Sequence, residues 1–180
     1  MKKFYSVLAL MLMAFAVFPQ QIDRNMVLIE VTTGTWWPSC PGTANVVDYL
    51  HANGYPVAII NNHGYPGSSD PYVNEYSTAR NNYYSNTLYP TTQFDGSWMV
   101  GPFPASNSVY ADITDQRMDI STSFNVEILG SYSGNNYDII VRVTKVADYS
   151  GTNLMVRLAL TESNVSGYHF INRLMVPDAN

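Results

Sequence analysis

Two short, nearly continuous apolar segments with a helical segment between them constrain the fold of this chain most strongly. Met26–Thr32 and Pro56–Ile60 are rich in β-branched residues, a composition typical of buried strands. Between them, Thr43–Ala52 places its apolar side chains on one helical face and ends at Asn53–Gly54, a common helix C-terminus. Because strands joined by a helical crossover lie parallel, the sequence predicts an α/β fold.

The residues that follow predict a second helix and a hairpin. Asp70 is a good N-cap residue and precedes Pro71 at the first helical position, and this helix is expected to reach about Tyr84. Asp95 and Gly96 give the strongest short-range hairpin signal and separate two short strands. The hairpin should add antiparallel strands to the parallel pair, which gives a central mixed sheet flanked by helices.

The first twenty residues have the pattern of a signal peptide. Lys2 and Lys3 form a positive start, Phe4–Phe18 is an apolar run of about 15 residues, and Ala14–Ala16 is a typical cleavage site. The run is shorter than the roughly 20 residues that span a bilayer. We therefore expect an exported protein (periplasmic, associated with the outer membrane, or secreted) without a transmembrane helix in the mature chain. An uncleaved anchor is the alternative.

A further helix and then a change of pattern follow the hairpin. The helix covers about Ser106–Met118 and is expected to turn Val109 and Ile113 inward. From Ser121 onward apolar and polar residues alternate, which predicts an antiparallel β-meander with one solvent-exposed face. Three such strands cannot cover their own apolar face, so we expect them to pack on the first domain or on strands that the sequence lacks. The expected regions are a signal peptide (1–20), an α/β domain (22–118) and an antiparallel β-domain (121–180) that is part of a truncated β-sandwich.

The composition supports a packed core and excludes several classes of function. Of the 180 residues, 46% are apolar and 13% are charged, which argues against a disordered chain. A formal net charge of −5 argues against a nucleic-acid partner, which would need a basic face. The single cysteine, Cys40, excludes an intramolecular disulfide, and His51, His63 and His169 show no usual metal-ligand spacing. We expect neither a metal nor another cofactor.

Several short motifs occur in a fixed order between the first strand and the hairpin. They are Thr33-Gly34-Thr35-Trp36, Cys40-Pro41, His63 after a strand, Asp70-Pro71-Tyr72, Ala79-Arg80 with Tyr83-Tyr84, and Tyr89-Pro90-Thr91 leading to Phe94-Asp95-Gly96. Together they resemble the thioredoxin fold, and more closely the secreted thioredoxin-like group called the outer-membrane-protein-28-related family. The resemblance covers about residues 26–103. It implies a thioredoxin-like sandwich and a cis-proline at Pro90 beside the site.

The chain departs from that family at the redox motif. The family pattern is Trp-Cys-x-x-Cys-Pro, whereas Trp37 stands here in the first cysteine position and Cys40 in the second. The first cysteine is the nucleophile of a dithiol site and the second resolves the mixed disulfide, so Cys40 alone cannot complete the cycle. Three roles stay open for Cys40: a buried structural thiol, a single-cysteine nucleophile, or a thiol that forms an intermolecular disulfide.

The expected function is therefore binding of a protein or peptide by a non-catalytic envelope module. The candidate binding residues are Trp36, Trp37 and Pro90, since tryptophan is favoured at binding hot spots, although either tryptophan could pack on the sheet edge instead. His63 is a further candidate because α/β sites lie at the carboxyl ends of parallel strands, although a loop histidine is more often structural. Two alternatives remain: a single-cysteine thiol-disulfide oxidoreductase or peroxidase that uses Cys40, and a structural attachment domain of a larger surface protein.

Overall fold

A computed structural model of the chain describes residues 19–64, 69–102 and 106–177. The expected signal peptide, 1–20, falls almost entirely outside these residues. Within the described parts of the chain, no helix is long and apolar enough to cross a membrane.

The chain divides into two compact units. The larger unit comprises Asp23–Ser121 and Gly151–Asn180, and it contains a six-stranded sheet and three helices. The smaller unit comprises the residues up to Ile22 and Thr122–Ser150, and it contains a two-stranded ribbon. The predicted α/β class is thus confirmed for the larger unit.

The large sheet is mixed, as the sequence predicts. In chain order the elements are β1 (Val27–Thr33), α1 (Cys40–Ala52), β2 (Val57–His63), α2 (Glu75–Tyr83), β3 (Thr91–Phe94), β4 (Trp98–Val100), α3 (Asn107–Met118), β5 (Phe124–Ser133), β6 (Asn136–Lys145), β7 (Leu158–Glu162) and β8 (Ile171–Val176). The strand order is β4-β3-β1-β2-β8-β7. Strands β1, β2 and β8 run parallel, whereas β3 is antiparallel to β1 and β7 is antiparallel to β8. The parallel pair on either side of α1 is the one expected from the apolar segments.

Strand β1 separates an apolar layer from a polar one. Its residues Val27, Ile29 and Val31 are almost fully buried and belong to the main core. Because side chains alternate along a strand, Glu30 and Thr32 point to the opposite face, where they bind side chains of α2 and of the loop after it. The core is completed by residues of α1, β2, α3 and β3: Val46, Val47, Leu50, Val57, Ile59, Phe94, Tyr110, Ala111 and Ile113.

The hairpin turn is confirmed at the predicted residues. Asp95 and Gly96 both have positive φ, +48° and +66°, and with Ser97 they form a three-residue loop, since Phe94 pairs with Trp98. The Asp95 carboxylate also accepts hydrogen bonds from Arg117 Nε at 2.8 Å and from the backbone N–H of Leu28 at 2.9 Å. The turn is therefore tied to both α3 and β1.

The second helix begins later than predicted. Asn74 is its N-cap, and its side chain accepts a hydrogen bond from the N–H of Ser77 at 2.9 Å while the Ser77 hydroxyl accepts one from the N–H of Asn74. Asp70 is therefore not the cap, because its carboxylate has other partners. Asp70 and Pro71 precede the helix by several residues and belong to the loop that follows β2.

The inward face of α3 also differs from the prediction. Ile113 is buried as expected, but Val109 is 42% exposed and the neighbouring Tyr110 is 1% exposed. Tyr110 packs edge-on against Phe94, and its hydroxyl forms a 2.6 Å hydrogen bond with that of Thr92. A tyrosine whose hydroxyl has a partner can occupy a core position that the apolar pattern gave to a valine.

The predicted meander is divided between the two sheets. Strands β5 and β6 pair with each other in the smaller unit, whereas β7 pairs with β8 in the large sheet. Strand β8 joins the sheet beside β2, with Asn61 opposite Ile171, and the Asn172 side chain donates to that of Asn62 at 2.7 Å. Alternation reveals that a strand has one buried face but does not identify its partner strand, so the expected pairing of the third meander strand with the first two is wrong.

Candidate functional site

The candidate site surrounds the loop between β1 and α1, at the carboxyl ends of β1 and β2. Crevices at such strand ends are the usual ligand sites of open α/β sheets. Two pockets lie here. The first, called the aromatic pocket below, is lined by Trp36, Trp37, Ser39, Thr87, Leu88, Tyr89 and Pro102. The second, called the thiol pocket, is lined by Thr33, Gly34, Cys40, Pro41, Ala44, Asn45, Asp48, Asn61, His63, Ser166, Gly167, Tyr168 and His169.

The aromatic pocket has a volume of about 340 Å³ and mostly apolar walls. Trp36 packs edge-on against Trp37, with ring centroids 5.5 Å apart, and lies 5.3 Å from the ring of Tyr89. Trp37 is 43% exposed and Leu88 is 55% exposed. Such an arrangement leaves aromatic and aliphatic surface open to a partner while one tryptophan is held between two rings.

Gly34 is what allows Trp36 to take this position. A Cβ atom at residue 34 would lie 2.5 Å from Trp36 Nε1, so any other residue would displace the indole. The indole N–H points to the carbonyl of Gly64 at 3.4 Å, which ties the loop to the end of β2. The Thr-Gly-Thr-Trp motif therefore has a packing role as well as a place in the site.

Pro90 follows a cis peptide bond, as predicted, but it does not form the wall of either pocket. Pro90 is buried, and Tyr89 before it supplies the pocket surface instead. Gly101 lies close to this segment, since a Cβ there would approach the carbonyl oxygen of Pro90 to 2.7 Å. The structure thus places Trp36 and Trp37 together and assigns the neighbouring surface to Tyr89.

Cys40 is the first residue of α1 and is 3% exposed. Burial raises the pKa of its thiol above the ordinary value, and hydrogen bonds with the Thr33 side chain and the Gly34 backbone offset only part of that rise. The negative charge of Asp70 raises it further. A cysteine at a helix N-terminus often has a lowered pKa, but here the cost of burying a thiolate outweighs the helix dipole. Cys40 therefore remains a thiol at neutral pH.

His63 and Asp70 form a buried pair at the same strand end. The His63 Nδ1–H donates to Asp70 Oδ2 at 2.9 Å, and both side chains are at most 1% exposed. Burial alone would raise the pKa of Asp70, but the hydrogen bonds from His63 and from the N–H groups of Thr35 and Tyr72 hold it below its usual value. The carboxylate stays ionised and fixes the tautomer of the His63 ring.

Cys40 and His63 both line the thiol pocket, which has a volume of about 280 Å³. Its rim includes the Asp48 carboxyl, whose pKa is raised by burial, and the ring of Tyr168, which packs edge-on against His63 with centroids 5.7 Å apart. Within the described ranges, no three residues among His, Cys, Asp and Glu are arranged to hold a metal ion.

The residues predicted from the sequence thus divide between the two pockets. Trp36 and Trp37 lie in the aromatic pocket, whereas Cys40 and His63 lie in the thiol pocket. Sequence reasoning missed Asp70 as the partner of His63, because an aspartate before a proline is equally typical of a helix cap. It also missed three residues that line the aromatic pocket: Leu88, Tyr89 and Pro102. Among these, only Tyr89 could have been suggested by the sequence, because it belongs to the Tyr-Pro-Thr motif.

Comparison of the chain with protein families, curated proteins and solved structures gives no significant match.

Proposed function

We propose that the larger unit is a thioredoxin-like domain whose dithiol site has been lost. Two observations support this proposal: the strand order β4-β3-β1-β2 with β3 antiparallel to β1, and the helix α1, which begins at Cys40 directly after β1 and its loop. Trp37 occupies the position of the attacking cysteine. Strands β8 and β7 extend the sheet beyond β2.

We infer that the domain binds an extended peptide through one apolar or aromatic side chain that enters the aromatic pocket. The observation that carries this inference is the pocket itself, which exposes Trp37 and Leu88 beside the half-buried Tyr89 around a volume of about 340 Å³. Tryptophan and tyrosine are the residues that most often dominate binding energy at protein interfaces. Among the residues that line the pocket, Ser39, Thr87 and Tyr89 carry hydroxyl groups, and the rest of the wall is aromatic or aliphatic.

The chemistry of Cys40 favours binding over thiol catalysis. The thiol is buried and its pKa is raised, so little thiolate is present at neutral pH. Trp37 in place of a second cysteine leaves no intramolecular resolving partner. The signal-peptide pattern supports export as the setting of this binding function.

The test uses a matched pair of tryptophans. Phage-displayed random peptides are selected on the immobilised protein, and a selected peptide is titrated against the parent, Trp37→Ala and Trp98→Ala. Trp98 is 44% exposed, nearly the same as Trp37, but lies on β4 outside the pocket. We expect Trp37→Ala to weaken binding at least about tenfold, which corresponds to a modest hot spot, and Trp98→Ala to leave it unchanged. Equal affinities of the parent and Trp37→Ala would refute the proposed site.

A second candidate function is a single-cysteine enzyme, and one specific observation favours it. The ionised Asp70 orients His63 in the pocket that Cys40 also lines, which supplies the third group that the sequence did not reveal. In this reading His63 takes the thiol proton and Cys40 reacts as the thiolate with a peroxide, which yields a sulfenic acid and releases the reduced oxygen as water or an alcohol. The reactivity of Cys40 separates this candidate from the binding module.

A further inference from the structure

The thiol pocket collects hydrogen-bond acceptors and has no basic side chain in its wall. Helix α1 presents one face to the pocket, because Pro41, Ala44, Asn45 and Asp48 follow one another at helical spacing. The end of β2 and the segment Ser166–His169 before β8 complete the wall. Among the described residues that line this pocket there is no lysine and no arginine.

Asp48 supplies a negative charge to the wall of the pocket. Its side chain is half-buried, and burial raises the pKa of the carboxyl because solvent no longer fully stabilises the ionised form. Electrostatic attraction to His169 and His51 offsets only part of this rise. Within the described ranges of the chain, Asp48 forms neither a hydrogen bond nor an ion pair. A cation beside this carboxylate would supply the stabilisation that burial removes.

His63 supplies a second acceptor, which is more deeply buried. The ring is 1% exposed and its Nδ1–H donates to Asp70, so Nε2 carries the lone pair of the imidazole. The ring lines the pocket, and Nε2 has no hydrogen-bond partner among the residues that the structure describes. Because a buried acceptor without a partner is unfavourable, an N–H donor from a ligand would be stabilising at this atom.

The rest of the wall offers aliphatic and aromatic surface. Ala44 contributes a methyl group, and Tyr168 contributes a half-buried ring. A two-residue turn at Ser166 and Gly167 positions this ring. Both turn residues have positive φ, +51° and +83°, and two backbone hydrogen bonds of 2.9 and 3.0 Å join the residues on either side of them. Since the face of a tyrosine ring attracts organic cations, Tyr168 adds to the preference for positive charge.

We propose that the thiol pocket binds a small organic cation, which has a primary ammonium group on a short apolar or aromatic tail. An ammonium group carries three N–H donors, and the Asp48 carboxylate and His63 Nε2 are two acceptors of this pocket that lack partners. The tail packs against Ala44 and Tyr168. The volume of about 280 Å³ lies near the lower end of the range of ligand pockets, so it suits a single small molecule.

The same groups disfavour the other classes of ligand. A phosphate or a carboxylate is usually held by arginine or lysine, which the described wall lacks. A metal ion needs several protein ligands, and no three suitable side chains are arranged for one within the described residues. A neutral alcohol can donate to His63 but leaves the charge of Asp48 without a partner. The positive charge of the ligand is therefore the property that an experiment must test.

Amide-resolved NMR of the purified protein during titration with phenethylamine at pH 7 tests the proposal. Phenethyl alcohol and hydrocinnamate are matched probes, because they carry the same phenethyl group with a neutral or a negative end. We expect the amine to bind with a dissociation constant below about 1 mM and at least about tenfold more tightly than either analogue. The amide signals of Ala44, Asp48 and Tyr168 should shift. No binding of the amine, or binding that either analogue equals, overturns the proposal.

Three variants locate the charge that the amine recognises. Asp48→Asn keeps the shape of the side chain and should weaken amine binding at least about tenfold. Asp112→Asn, the same change at an exposed position of α3, should leave the affinity unchanged. Trp37→Ala should also leave it unchanged, so the amine site can fail or hold independently of peptide binding at the aromatic pocket. Circular dichroism checks that each variant folds. Unchanged affinity of Asp48→Asn, or loss of amine binding in Trp37→Ala, contradicts the proposal.

Discussion

At the scale of single residues, the helix position and the burial of Cys40 act in opposite directions on the pKa of its thiol. The first residue of a helix is a place where the backbone N–H groups favour a thiolate, and reactive cysteines are often found there. Here the side chain is 3% exposed, and burial raises the pKa of the thiol. At this helix start, burial therefore gives Cys40 a raised pKa where an exposed cysteine would be expected to have a lowered one.

We expect the alkylation of Cys40 by iodoacetamide to be slow in the native protein and to increase with pH only above the ordinary thiol pKa of about 8.5. The rate is expected to be low because a raised pKa leaves a smaller fraction of Cys40 as thiolate at any given pH. In denaturant the rate should rise at least about tenfold and follow the ordinary pKa. Rapid alkylation of the native protein at pH 7, or a sulfenic acid after mild peroxide, would instead support the single-cysteine enzyme.

At the scale of elements, α2 is held to the sheet by a buried charge pair. Arg80 contacts the Glu30 carboxylate through two hydrogen bonds, Nε to Oε1 at 2.6 Å and Nη2 to Oε2 at 2.7 Å, and Tyr84 adds a third from its hydroxyl. Glu30 is 2% exposed in the middle of β1. A bidentate arginine satisfies both carboxylate oxygens, so the network determines where α2 lies on the sheet.

Arg80→Ala should destabilise the protein by about 3–5 kcal/mol, because it leaves the Glu30 carboxylate buried without its partner. The matched control is Arg142→Ala, which removes the exposed ion pair with Glu127 and should cost at most about 1 kcal/mol. Urea unfolding of the two variants and the parent measures both effects, with far-UV circular dichroism as the signal, because it reports on both units whereas all three tryptophans lie in the larger one. Similar losses in both variants would mean that the Glu30–Arg80 pair contributes little.

The elements also show what the sequence could and could not predict. Strands β1 and β2 and the turn at Asp95 and Gly96 were predictable because apolar runs and turn residues are local signals. The start of α2 was not, since Asp70 and Asn74 are both good caps and only tertiary contacts decide that Asp70 binds His63 instead. The pairing of β8 with β2 is likewise decided by contacts between residues far apart in the chain.

The same limit applies to the candidate site. Trp36, Trp37 and His63 could be predicted to lie near the first two strands because they follow the strand ends. That they belong to two different pockets depends on residues far along the chain, such as Tyr168 for one and Pro102 for the other. No local pattern connects those positions.

At the scale of the whole molecule, two strands, β8 and β7, extend the sheet of the larger unit beyond β2. The loop before α1 lies beside the residue that precedes Pro90, since the rings of Trp36 and Tyr89 are 5.3 Å apart. The additional strand β8 brings Ser166–His169 to the end of β2, where they form part of the thiol pocket. The extension thus covers an edge of the sheet and also shapes the site.

Introducing a cysteine at position 37 tests the proposed thioredoxin-like fold directly. If the fold is thioredoxin-like, Trp37→Cys recreates a Cys-x-x-Cys motif at the start of α1, and its thiol should form an intramolecular disulfide with Cys40. We expect mass spectrometry of the oxidised variant to show the loss of two hydrogens, and the variant to gain disulfide reductase activity on insulin that the parent lacks. Trp36→Cys, one position out of register, is the control and should do neither. A Trp37→Cys protein that keeps two free thiols under an oxidant would contradict a thioredoxin-like geometry at this helix.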